Sequence, residues 1–205
     1  MSVILFSCDG GHLLLPDRAS LLVGRENGGN LVVNPPRPAW ERSELTPAEL
    51  SAFAFLVAAA GRAMIDVLPQ LEGGCINYWE AGNWALNERA EPKGRKDARA
   101  HRTMHLHLLG RSPASTDPAW AWGESPIFPR FAERHSWAAT FERLTAAECH
   151  QIVSRADTLL RITYGLTTGQ IAAWSRCDRC AYPTPVALGT SPHRCAECLA
   201  RGAAP

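Results

Sequence analysis

Two short stretches carry residues whose types and spacing could do chemistry. The first is TMHLHLLGR, Thr103 to Arg111, with His105 and His107 two apart in an apolar run. On a strand, residues i and i+2 face the same side, so both imidazoles would point one way and the leucines the other. Such a pair suits three uses: two ligands of a metal, half of a nucleophilic centre, or polar residues on a wet sheet face. The second is CDRC and CAEC, in which Cys177, Cys180, Cys195 and Cys198 form a C-x2-C-x14-C-x2-C pattern. Each C-x2-C knuckle sets two thiolates on one side of a tight turn, and two knuckles close a tetrahedral site for structural zinc. A closed four-thiolate site has no open coordination position, so its expected role is structural or a docking surface rather than catalytic; redox-active or disulfide cysteines are the alternative reading of the four.

The elements that must position the histidines are legible as patterns. SLLVGR (20–25) and NLVVNPP (30–36) read as short strands on either side of the turn-forming ENGG. In SELTPAELSAFAFLVAAAGRAMIDVL, Thr46 is an N-cap, Pro47 suits the first helical position and Glu49 completes a capping box. Leu50, Phe53, Val57, Ala60, Met64 and Val67 recur at helical spacing, which predicts an amphipathic helix over 47–68. Residues 75–79 and 84–87 predict two short strands, or one strand bent at Gly82. The charged stretch 88–100 predicts a surface loop, and its Lys and Arg residues would suit a lid over a phosphate-rich ligand. A strand over 101–109 would then carry the HLH pair, and would set His101 about 13 Å from His105 at ~3.3 Å per residue. A second capping box, Thr145 with Glu148, predicts a helix over about 146–162. From residue 167 the composition shifts to the cysteine module, which divides the chain into domains at 1–166 and 167–205.

This order of elements, with GGNLVVNPPRP (28–38), the capped helix at SELTPAEL and HLHLLGR, resembles the histidine triad (HIT) superfamily of nucleotide hydrolases and transferases. The resemblance covers about residues 20 to 112. It implies an α+β fold, an antiparallel sheet with packed helices, here followed by the small zinc-binding module. It places His105 at the nucleophilic middle histidine, which attacks the α-phosphorus of a nucleotide while a nearby backbone carbonyl holds its other nitrogen. It places His107 at the third histidine, against phosphate oxygens or the leaving group, and Thr103 where the family has its first histidine. Asn30 falls where the family often has histidine. Asn83 or Asn87 would serve as an amide on the phosphate or ribose side, and Arg111 would reach a second phosphate or a partner subunit. The family also implies a homodimer.

These expectations amount to a hydrolase or nucleotidyltransferase acting on a nucleotide conjugate. Two other readings keep part of the pattern. A nucleotide-binding sensor would keep the pocket without the chemistry, because threonine hydrogen bonds but does not shuttle protons near neutral pH. A nucleic-acid end-processing enzyme would pair the fold with the zinc module, against which stands a net charge of only +1 over 205 residues. No apolar stretch in the sequence is expected to reach the roughly 20 residues of a membrane span. The N-terminus lacks a signal-peptide pattern, and together these give a cytoplasmic expectation.

Overall fold

A computed structural model describes residues 2–166 and, beyond them, the backbone of two short paired strands. Strands β1 (Val3–Cys8), β2 (Gly11–Leu15) and β3 (Asn30–Asn34) are followed by helix α1 (Pro47–Val67) and strand β4 (Cys75–Ala81). A helical turn α2 (Ala98–His101), strand β5 (His105–Arg111), and helices α3 (Arg134–Ala139) and α4 (Ala146–Thr163) complete the main body. The five strands form one antiparallel sheet in the order β1-β2-β3-β5-β4. The fold is thus α+β. The later strands β6 (Ala173–Arg176) and β7 (Pro183–Val186) pair with each other. Cys177, Cys180, Cys195 and Cys198 lie outside the described residues.

Both long helices begin as their sequences require. Thr46 accepts from the Glu49 amide while the Glu49 carboxylate accepts from the Thr46 amide at 2.8 Å, so two otherwise unpaired N–H groups are satisfied reciprocally. Thr145 and Glu148 repeat the arrangement at α4. Phe53, Leu56, Ala60 and Met64 of α1 are buried with Leu106 and Leu108 of β5 and Leu31 and Val33 of β3. Ile152, Val153, Ala156 and Leu160 of α4 close this core, and Arg155 of α4 pairs with Asp66 of α1 at 2.7 Å. By length and composition alone α1 could cross a membrane, contrary to the sequence expectation. In the fold its small side chains at Ala59, Ala60 and Ala63 are fully buried.

The opposite face of the sheet has a second apolar layer. Trp120, Leu22, Val23 and Leu109 are buried together, with Trp79, Trp84, Phe128 and Trp137 packed around them. This layer explains why 20–25 is not a strand. Leu21, Leu22 and Val23 are buried without joining a ladder: Leu22 and Val23 pack with Leu109 and Trp120 on the sheet face, and Leu21 packs with Ala138 and Phe141. Their backbone is satisfied elsewhere: Leu22 donates to the Asn30 side chain, Leu22 O accepts from Trp137 Nε1, and Arg25 donates to Glu142 O. The first strands are instead the β1–β2 hairpin, two apolar runs, VILF and LLL, joined through Asp9-Gly10-Gly11.

Two further boundaries shift. A single strand ends at Ala81, and Gly82, at φ +132°, turns the chain into a 3-10 helix over Asn83–Leu86. The predicted strand over 101–109 starts later, because the Asp97 side chain accepts from the Ala100 amide and caps α2. The pair Gly28–Gly29 serves close packing: a β-carbon at Gly110 would lie 2.5 Å from the Gly28 backbone, where Gly110 donates to Gly29 O.

Candidate functional site

Alternation along β5 sends Leu106 and Leu108 to the α1 core and leaves His105 and His107 on the second face. Antiparallel pairing sets Ala81 and Trp79 of β4 beside them, and places Val32 of β3 opposite His107. The two imidazole centroids are 5.0 Å apart. Both rings line a cavity of about 620 Å³.

Each ring is held through Nδ1, by partners of opposite kind. His105 Nδ1 lies 3.0 Å from Thr103 O. A carbonyl only accepts, so Nδ1 carries the proton and the Nε2 lone pair is free. His107 Nδ1 lies 3.3 Å from Asn30 Nδ2. The Asn30 amide has one orientation, since its oxygen accepts from Leu22 N at 3.2 Å and its nitrogen donates to Leu31 O at 2.9 Å. Nδ2 therefore donates to His107 Nδ1, and the His107 proton sits on Nε2. One histidine offers a lone pair and its neighbour an N–H.

Burial keeps both rings neutral. It lowers the pKa of His105, with the nearby Arg102 acting in the same direction, against the hydrogen bond to Thr103 and the charge of Glu80. It pushes His107, 7% exposed, down to about 3, helped by His105. The unfolded chain takes up a proton on residue 107 near the ordinary histidine pKa of about 6.5, and the folded protein does not. This contribution to stability is therefore complete above about pH 6.5 and declines as pH falls toward 3, by about 1.4 kcal/mol per pH unit. In denaturant titrations at pH 6.5 and pH 5, the wild type should lose about 2 kcal/mol more than His107→Gln. Equal losses would mean that His107 is not held neutral by the fold.

The other predicted residues are divided between this cavity and elsewhere. Thr103 and Asn83 line it. Asn30 stands behind His107, 1% exposed, and acts through it. Asn87 lies outside the lining; its side chain accepts from Arg89 N and its carbonyl accepts from Lys96. Arg111 shares the histidines' face of β5, but its guanidinium is buried against Trp120 and donates to Ala121 O and Glu124 O at 2.6 and 2.9 Å. Among the described residues, no three His, Cys, Asp or Glu side chains gather as metal ligands.

Sequence reasoning missed several lining residues. His101 was expected on a strand, far from His105; the α2 turn folds it back to the cavity. Its Nδ1 donates to Asp97 O at 3.1 Å, which leaves Nε2 unengaged among the described residues. Arg134 and His135 of α3, with Trp79 and Trp84, complete the wall. Four histidines and an arginine line this space, and no aspartate or glutamate does. With His105 and His107 neutral, the fixed charge in the lining is the Arg134 guanidinium, and the histidines add hydrogen-bonding nitrogens, a set that suits an anion. No family model matches the chain, and no curated protein matches its sequence.

Proposed function

We propose that the protein is a HIT-like hydrolase or transferase acting at the α-phosphorus of a nucleotide conjugate. The observation that carries this reading is the opposed tautomers of His105 and His107 in a cavity without carboxylates. His105 Nε2 attacks phosphorus, a P–N bond forms, and the bond from phosphorus to the leaving group breaks with its electron pair going to that group. His107 Nε2–H donates to a non-bridging phosphate oxygen and stabilises charge as the bonds exchange. Water or an acceptor alcohol then attacks the same phosphorus, and a P–O bond forms. The P–N bond breaks with its electron pair returning to His105 Nε2, the O–H proton passes to the departed group or solvent, and the nucleotide leaves. Backbone anchoring of His105 through Thr103 O supports the reading despite the missing first histidine, since the anchor needs no imidazole at 103.

The test is the intact mass of the protein after exposure to nucleoside phosphoramidates or dinucleoside polyphosphates. A nucleotidyl adduct is expected on the wild type and not on His105→Ala. An adduct of equal yield on both would sink the assignment. The resemblance also implies a homodimer, which sedimentation of the full chain would read.

The cysteine module belongs to the proposal as one zinc held by Cys177, Cys180, Cys195 and Cys198. Elemental analysis should give about one zinc per chain in the wild type. Cys177→Ser with Cys180→Ser should lose it while adduct formation at His105 persists. A metal-free wild type purified without chelators would remove the zinc from the proposal.

A further inference from the structure

The cavity extends past the two histidines to α3, which lies outside the stretch that resembles the HIT superfamily. Arg134 is fixed there before any ligand arrives. Its Nη1 donates to Phe131 O at 2.6 Å, and its guanidinium stacks 3.8 Å from the Phe131 ring centroid. Phe131 meets Trp84 edge-on, with centroids 6.3 Å apart, and Trp84 lines the cavity. The helix that carries Arg134 is itself anchored, because Trp137 Nε1 donates to Leu22 O at 3.0 Å and Ala138 is buried.

What Arg134 lacks is an anion. Arg25, Arg37, Arg42 and Arg102 each pair with a glutamate, whereas Arg134 has no carboxylate partner among the described residues. A half-buried, pre-positioned arginine in the lining of a cavity with no aspartate or glutamate is complementary to a planar or tetrahedral oxyanion. His135, its neighbour on α3, lines the same cavity and adds a second nitrogen-bearing ring.

We propose that Arg134 and His135 form a subsite for a second phosphate of the substrate, next to the α-phosphate addressed by His105 and His107. This rests on the reading of the histidine pair as a phosphate site, and it names the substrate class. The bond broken would join the α-phosphate to a further phosphate, so the departing group is a phosphate or a phosphorylated moiety. Arg134 then acts as a specificity residue, holding the group that leaves.

Calorimetric titration of the wild type with AMP and with the hydrolysis-resistant α,β-methylene analogue of ADP tests this without turnover. The wild type should bind the analogue about 10- to 100-fold more tightly than AMP, as a charge-assisted contact predicts. Arg134→Gln should bring the two affinities within about threefold, and Arg134→Lys should recover part of the preference. His135→Asn should reduce it by a smaller factor. Equal affinities in the wild type, or a preference untouched by Arg134→Gln, overturns the subsite even if the His105 adduct forms. An Arg134-dependent preference in a protein that forms no adduct upholds the subsite and removes the proposed chemistry.

Discussion

Replacing His105 with alanine is expected to lower turnover of a nucleotide conjugate by at least about 1000-fold, the scale of losing a covalent nucleophile. Thr103→Ala should change it by less than about threefold. The contrast follows from which atom holds the ring. The partner of His105 Nδ1 is the Thr103 carbonyl, 3.0 Å away, and a carbonyl is present whatever the side chain. The backbone here is fixed from several sides: Met104 N donates to Ala39 O at 2.8 Å, and the side chain of Met104 is fully buried. Arg102, just upstream, pairs with Glu41 and Glu80 at 3.1 and 3.3 Å. Alanine at 103 therefore leaves the anchor in place. Steady-state rates on a phosphoramidate, with both variants checked for unchanged thermal unfolding, would measure the pair of effects. If Thr103→Ala matched His105→Ala in its loss, the threonine hydroxyl rather than the carbonyl would be the working group.

The sequence was most informative where a local rule acts alone. The capping boxes at Thr46 and Thr145 are short-range hydrogen-bond patterns, and both long helices start where these predict. Alternation along HLHLLGR set His105 and His107 against Leu106 and Leu108, and β5 keeps that division, while Leu109 joins the histidines' face. Leu21–Val23 misled for the opposite reason: burial within the second apolar layer and against α3, and burial within a strand, give the same apolar run. His101 was misplaced because the capping oxygen of Asp97 makes a helical turn where a continuing strand was assumed. Arg134 and His135 leave no local mark at all. Their approach to β5 depends on the packing of Trp120, Trp137 and Phe128, contacts between residues far apart in the chain. The role of Asn30 was half legible: its position was marked, but its contact with His107 required the register of β3 on β5.

That contact gives the second large effect. Asn30→Asp is expected to cut kcat about 100-fold at neutral pH, the scale of removing one donor to a developing phosphate charge. Asn30 is 1% exposed and directs one amide nitrogen at both Leu31 O and His107 Nδ1. Aspartate keeps the oxygen that accepts from Leu22 N but has no N–H to donate. Its second oxygen would face two acceptors, and the conflict with the imidazole is relieved if the His107 proton moves from Nε2 to Nδ1. Nε2 then presents a lone pair to phosphate oxygens where the wild type presents a donor. The carboxylate also favours imidazolium, raising the His107 pKa from its depressed value near 3. Once protonated, the ring regains an Nε2 proton, so Asn30→Asp activity should rise as pH falls through the new pKa. Asn30→Leu would be impaired without that acid-side recovery. Its loss of stability should be about 1–3 kcal/mol for each buried backbone group left unpaired. Rate–pH profiles, with nitrogen NMR shifts of His107 to read the tautomer, distinguish these cases. A wild-type kcat in Asn30→Asp, with Nε2 still protonated, would mean that the tautomer of His107 is set by something other than Asn30.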